Sequence, residues 1–136
     1  MASLGRDGFH VSLWQYNFIP PNEGNTHYQE AVAHGYLAKD ADGRPYQLPE
    51  TCRGSWTEDV IVDFSNPEAR DWYAAKIKRL IEMGAGAIKT DFGEGIPVEA
   101  HYHSIQGKHF HNVYSLLYNS VVFGATKAVR GDEIVW

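Results

Sequence analysis

Between Ser65 and Gly84 the sequence marks both ends of one helix, and apolar runs flank it on either side. Ser65 or Asn66 offers a capping oxygen, and Pro67 and Glu68 fill the first turn as they do at helix starts. Ala69, Trp72, Tyr73, Ile77, Leu80 and Ile81 recur at three- and four-residue steps, so one face is apolar and needs a partner. Gly84 falls where a glycine ends such a helix. A strand over 86–91 follows, then a loop to about 107. A second helix is expected over 108–129, with Phe110, Val113, Tyr114, Leu117, Val121, Ala125 and Ala128 inward. Gly131 ends it, and Glu133 to Trp136 begins another apolar strand.

Upstream, GFHVSLW (8–14) reads as a strand. The segment after it holds Pro20-Pro21 and is a loop. A short helix fits Tyr28–Tyr36, Asp42-Gly43 marks a hairpin turn, 49–59 is irregular, and VIVDF (60–64) is a short strand. Strands alternating with helices imply parallel pairing through right-handed crossovers. About three parallel strands and two main helices cannot close a barrel, which needs about 250 residues. The chain is therefore expected to be either a small open α/β domain or, preferably, residues 1–136 of one incomplete larger domain.

Composition excludes some partners. A net charge of -5 without a basic stripe argues against nucleic acid as a partner, the basic cluster Lys76, Lys78 and Arg79 reading as a solvated helix face. No stretch of about 18 apolar residues suggests a membrane span, and MASLGRDGF lacks an apolar signal core. Cys52 is alone, so neither an internal disulfide nor a cysteine-paired zinc site is possible. A cytoplasmic setting is the expectation.

The chemistry concentrates in AIKTDFGEGIP, 87–97. Buried parallel strands are near-continuous apolar runs, so a lysine and an aspartate inside one are costly. By alternation Ala87, Lys89 and Asp91 share a face, with the two charges roughly 6–7 Å apart along the strand. The C-terminal end of a parallel strand is where α/β folds place functional groups. A nearby cation keeps a carboxylate ionised, which suits a nucleophile or an electrostatic stabiliser better than a general acid. The blander reading of Asp91 is a turn-capping carboxylate.

KTDFGEGIP resembles the nucleophile motif of glycoside hydrolase family 31, most closely its α-xylosidase-like branch. GFHVSLWQYNFI resembles the preceding barrel strand, VDFSNPEARDWY the lead-in to the next helix, and HNVYSLLYNSVVF the helix after the nucleophile. The resemblance runs from about Gly8 to Trp136. It implies part of a (β/α)8 catalytic domain, its third to fifth strands, from a retaining α-glycosidase. Such an enzyme removes terminal non-reducing α-xylosyl or α-glucosyl residues from oligosaccharides or α-glycosides. On this reading Asp91 is the nucleophile, and Lys89 lines the subsite for the non-reducing sugar. Trp14 packs against that sugar, and Glu94 supports the loop. Lys89, where α-glucosidase versions of the motif commonly have tryptophan, favours an α-xyloside. No metal or organic cofactor is implied. The acid/base is expected beyond Trp136, so the isolated chain is expected to be inactive on natural glycosides and to need the rest of the barrel. Transglycosylation is also open.

Other clusters have plainer explanations. His101, His103, His109 and His111 lack a spacing that converges on a metal. Asp63 suits a turn or cap, and the glycines at 84–86 and 93–95 lack phosphate-cradle spacing. Two further functional readings remain: a non-catalytic carbohydrate-binding module using Trp14, Trp56 and tyrosine-rich loops, and a phospho-acceptor domain with a strand-end aspartate.

Overall fold

The computed structural model describes residues 1–49 and 58–133. A short helix α1 (Ala2–Arg6) precedes β1 (Ser12–Tyr16), β2 (Phe18–Ile19) and α2 (Thr26–His34). Then come β3 (Val60–Ile61), α3 (Pro67–Glu82), β4 (Ala87–Asp91), α4 (Gly107–Phe110) and α5 (Tyr114–Arg130). Two pairings organise the chain. β1 lies parallel to β4, with Ser12 opposite Ala87 and Tyr16 opposite Asp91, whereas β2 runs antiparallel to β3. The expected third strand lies outside the described residues except for Glu133, as do Cys52 and Trp56.

The first strand sits four residues later than its composition suggests. Gly8 takes a positive φ and Phe9 is 63% exposed, so the apolar start of GFHVSLW has no neighbour to pair with. Pairing begins only where β4 runs alongside, after the Gly86 amide bonds the Val11 carbonyl. The strand consequently continues through Tyr16.

α3 forms as its end signals require. Asn66, rather than Ser65, is the cap: its Oδ1 accepts the Glu68 amide at 2.9 Å. Ala69, Tyr73, Ile77 and Ile81 are buried, with Trp72 and Leu80 packed at the margin. The second helix differs from the single span expected. It breaks after Phe110 and resumes at Tyr114, and its buried face is Tyr114, Tyr118, Val122 and Ala125. Val113 is 37% exposed and Ala128 also lies outside the core. The hairpin turn is present, with Asp40 and Arg44 bonded across Asp42-Gly43.

The core gathers residues of the 19–64 segment, α3 and α5, with Ile88 of β4 packed against it and an aromatic cluster at its centre. Phe64 packs within 5.1–5.5 Å of the rings of Tyr73, Tyr114 and Tyr118. Buried phenols need acceptors, and here they find backbone carbonyls. Tyr73 donates to Tyr16 O, Tyr118 to Gln15 O, and Tyr114 to Val62 O. Two of these bonds grip the C-terminal end of β1 from the helix layer.

Candidate active site

In the β1–β4 register Trp14 stands opposite Lys89 and Tyr16 opposite Asp91, so alternation puts all four on one face of the strand pair. Three groups hold the Asp91 carboxylate. Lys89 Nζ donates to Oδ2 at 2.8 Å, Trp14 Nε1 donates to the same oxygen at 2.9 Å, and the Phe92 amide donates to Oδ1 at 3.1 Å. The long lysine side chain closes the gap that strand spacing alone leaves between the two charges. The side chains of Lys89 and Asp91 are 62% and 40% exposed, so the pair adds little to stability. Its effect is on ionisation: the hydrogen bonds from Lys89 and Trp14 pull the Asp91 carboxyl down to about 2. Such a group is a carboxylate at any ordinary pH. It can attack an electrophilic carbon or face a developing positive charge, but it has no proton to give.

The backbone after Asp91 is bent sharply. Phe92 has φ 63 and Gly93 φ 106, two left-handed residues in succession. For phenylalanine that conformation is strained, and strain of this kind collects at functional sites. Gly93 is required twice over, because a Cβ there would also lie 3.0 Å from Ser115 Oγ. The bend turns the Phe92 amide back onto Asp91 and brings the Phe92 ring edge-on to Trp14 at 6.1 Å.

Trp14, Lys89 and Asp91 thus meet at one point. Glu94 stands exposed in the turn, and the hydrogen bonds to the Asp91 carboxylate come from the other three groups. Tyr16 belongs to this face and was not singled out in the sequence. Its ring stacks on Trp14 with centroids 4.9 Å apart, and burial together with the nearby Asp59 carboxylate pushes its phenol up to about 12. The alternation that points to Trp14 points equally to Tyr16, once the strand is known to run that far. A cavity of about 540 Å³ opens beside β1, its wall including Trp14, Tyr16, Trp72 and Lys76.

The remaining candidates serve structure. Asp63 is buried, accepting the Ser65 amide at 2.9 Å and the His103 amide at 2.6 Å, and so ties the start of α3 to the 98–106 loop. The His111 ring bonds the Ile96 carbonyl. Among the described residues no group of three or more His, Cys, Asp or Glu side chains could hold a metal ion, and no helix is long and apolar enough to cross a membrane.

This arrangement has relatives. The model of the glycosyl hydrolases family 31 TIM-barrel domain matches residues 1–135. An α-xylosidase from Emericella nidulans is 31% identical over 135 residues, which cover 98% of this chain and 16% of that protein. An α-xylosidase from Lactiplantibacillus pentosus is 34% identical over 131 residues, covering 94% of this chain and 16% of that one. Among solved structures, a family 31 sulfoquinovosidase from E. rectale, in complex with an aza-sugar inhibitor, superposes with a TM-score of 0.82 at 25% identity. That superposition spans 93% of this chain and 19% of the other. The chain therefore spans about a sixth of the length of the α-xylosidases it matches. It belongs to glycosyl hydrolase family 31, and its two paired parallel strands with their covering helices are a part of that family's TIM-barrel domain.

Proposed function

We propose that this chain carries the nucleophile half of a retaining α-glycosidase site, with Asp91 as the attacking carboxylate. The observation that carries this reading is the double donation of Lys89 and Trp14 to Asp91 Oδ2 at the C-terminal end of β4. Asp91 attacks the anomeric carbon and forms a covalent glycosyl ester while the leaving oxygen departs with a proton. Water then attacks the anomeric carbon from the face the first leaving group vacated, opposite Asp91, the carboxylate is released, and configuration is retained. Lys89 and Trp14 line the subsite for the non-reducing sugar. The glycone is an α-xylosyl residue before an α-glucosyl one. Two α-xylosidases match nearly the whole chain, which supports that order.

Asp91 cannot protonate a leaving group at the pH where it attacks, so a second carboxyl group is required for natural glycosides. Retaining enzymes place it about 5–5.5 Å from the nucleophile, across the scissile bond. Glu94, three residues along a tight turn, is poorly sited for that and serves the loop. The acid/base is assigned to a part of the barrel beyond this chain.

An activated sugar fluoride tests the reading, since fluoride leaves without a proton. Incubation with 5-fluoro-α-D-xylosyl fluoride, followed by peptide mass mapping, is expected to show one glycosyl adduct on Asp91. Asp91→Ala should abolish it. Labelling at another carboxylate, or none in a folded chain, would overturn the assignment. Sugar binding that survives Asp91→Asn with no adduct would instead favour a carbohydrate-binding module.

A further inference from the structure

We propose that Tyr16 is a positioning residue whose ring fixes the Trp14 indole, so that Nε1–H stays aimed at Asp91 Oδ2. This rests on Asp91 being the reacting carboxylate, but its test needs no turnover.

An indole has a single N–H donor, and rotation about χ1 or χ2 carries that donor off the carboxylate. Trp14 is 39% exposed, so its surroundings restrict those rotations only in part. Tyr16 restricts them from one face. The two rings are stacked with an interplanar angle of 23° at 4.9 Å, within the range of favourable offset pairs. Phe92 closes a second side with an edge contact at 86°.

Tyr16 is itself anchored. Its carbonyl accepts the Tyr73 hydroxyl at 3.1 Å, and Phe18 meets its ring edge-on at 6.0 Å. Its own hydroxyl lies 3.4 Å from Oδ2 of the buried Asp59. That is long for an O–H···O bond, so the stacked ring, and not the hydroxyl, is the positioning element. The chain of contacts thus runs from α3 through β1 to the indole and ends on the carboxylate.

The test follows the Asp91 side-chain carboxyl carbon and the Trp14 indole N–H by NMR through an acid titration of the labelled chain. Trp14→Phe removes the donor and leaves Lys89, which sets the full size of the rise in the Asp91 midpoint. Tyr16→Leu is expected to reproduce at least half of that rise, and Tyr16→Phe, which keeps the ring, none of it. Tyr16→Leu matching the parent while Trp14→Phe shifts would overturn the proposal. So would Tyr16→Phe shifting as far as Tyr16→Leu, because the hydroxyl would then be responsible. Should Tyr16→Leu not fold, the parent chain decides. Nuclear Overhauser contacts between the Tyr16 ring and the indole must persist while the indole N–H shift follows Asp91, and their absence overturns the proposal. Failure of fluoride labelling would sink the function and leave these shifts untouched.

Discussion

Gly107 opens α4 with its Cα pressed against the 98–106 loop, where a Cβ would fall 2.2 Å from the Val98 carbonyl oxygen. Backbone on both sides leaves nothing flexible to yield. Gly107→Ala is therefore expected to cost about 3 kcal/mol, at the upper end for overpacking, and to lower the urea midpoint accordingly. An unchanged midpoint would mean that the loop moves freely away from the helix. In the sequence this glycine looks like an ordinary loop residue, because the clash is with a segment nine residues away. Lys89 and Asp91 were legible for the opposite reason: both lie on one strand, and alternation alone puts them together. The Trp14 bond was half legible. Alternation places the indole on a face, but its meeting with Asp91 needs the register of two strands more than seventy residues apart.

Among the elements, α3 shows what local signals can specify. Its cap, first-turn proline and apolar stripe agree with one another, and the helix forms where they say. Asn66→Ala removes the oxygen that receives the Glu68 amide in a nearly buried setting, and it should cost about 1 kcal/mol. Asn66→Asp or Asn66→Ser should restore most of the loss in the same denaturation experiment. The break between α4 and α5 was not legible, since the apolar spacing runs through it without interruption. Tertiary packing decides it. Phe110 is held against Tyr102 and Tyr114, and the turn at 111–113 shifts the buried face of α5 onto Tyr118 and Val122. Leu116, 67% exposed, lies on the side of α5 that borders β4, together with Phe123 and Thr126 around a cavity of about 310 Å³.

At the scale of the molecule, the tyrosines set the alkaline limit of the fold. Burial raises the phenols of Tyr16 and Tyr118 to about 12, and those of Tyr73, Tyr102 and Tyr114 higher still. A phenol whose folded value exceeds its unfolded one contributes stability that is complete below about pH 10 and lost as pH rises towards the folded value. Tyrosinate absorbance should therefore lag behind that of model phenols, then rise together with the loss of helical circular dichroism above pH 10. Early ionisation of all eight tyrosines with an intact helical spectrum would contradict this. Two of these phenols, Tyr73 and Tyr118, grip β1 from behind, so alkali should release the strand that holds Trp14.

The shared oxygen of Asp91 follows from that attachment. One of its donors, Lys89, belongs to the same strand and stays beside it even when β4 stands alone. The other arrives only when the distant N-terminal segment has docked in register. Proton affinity at this one carboxylate is therefore a gauge of assembly, reading low when the two halves of the chain are joined and higher when they part.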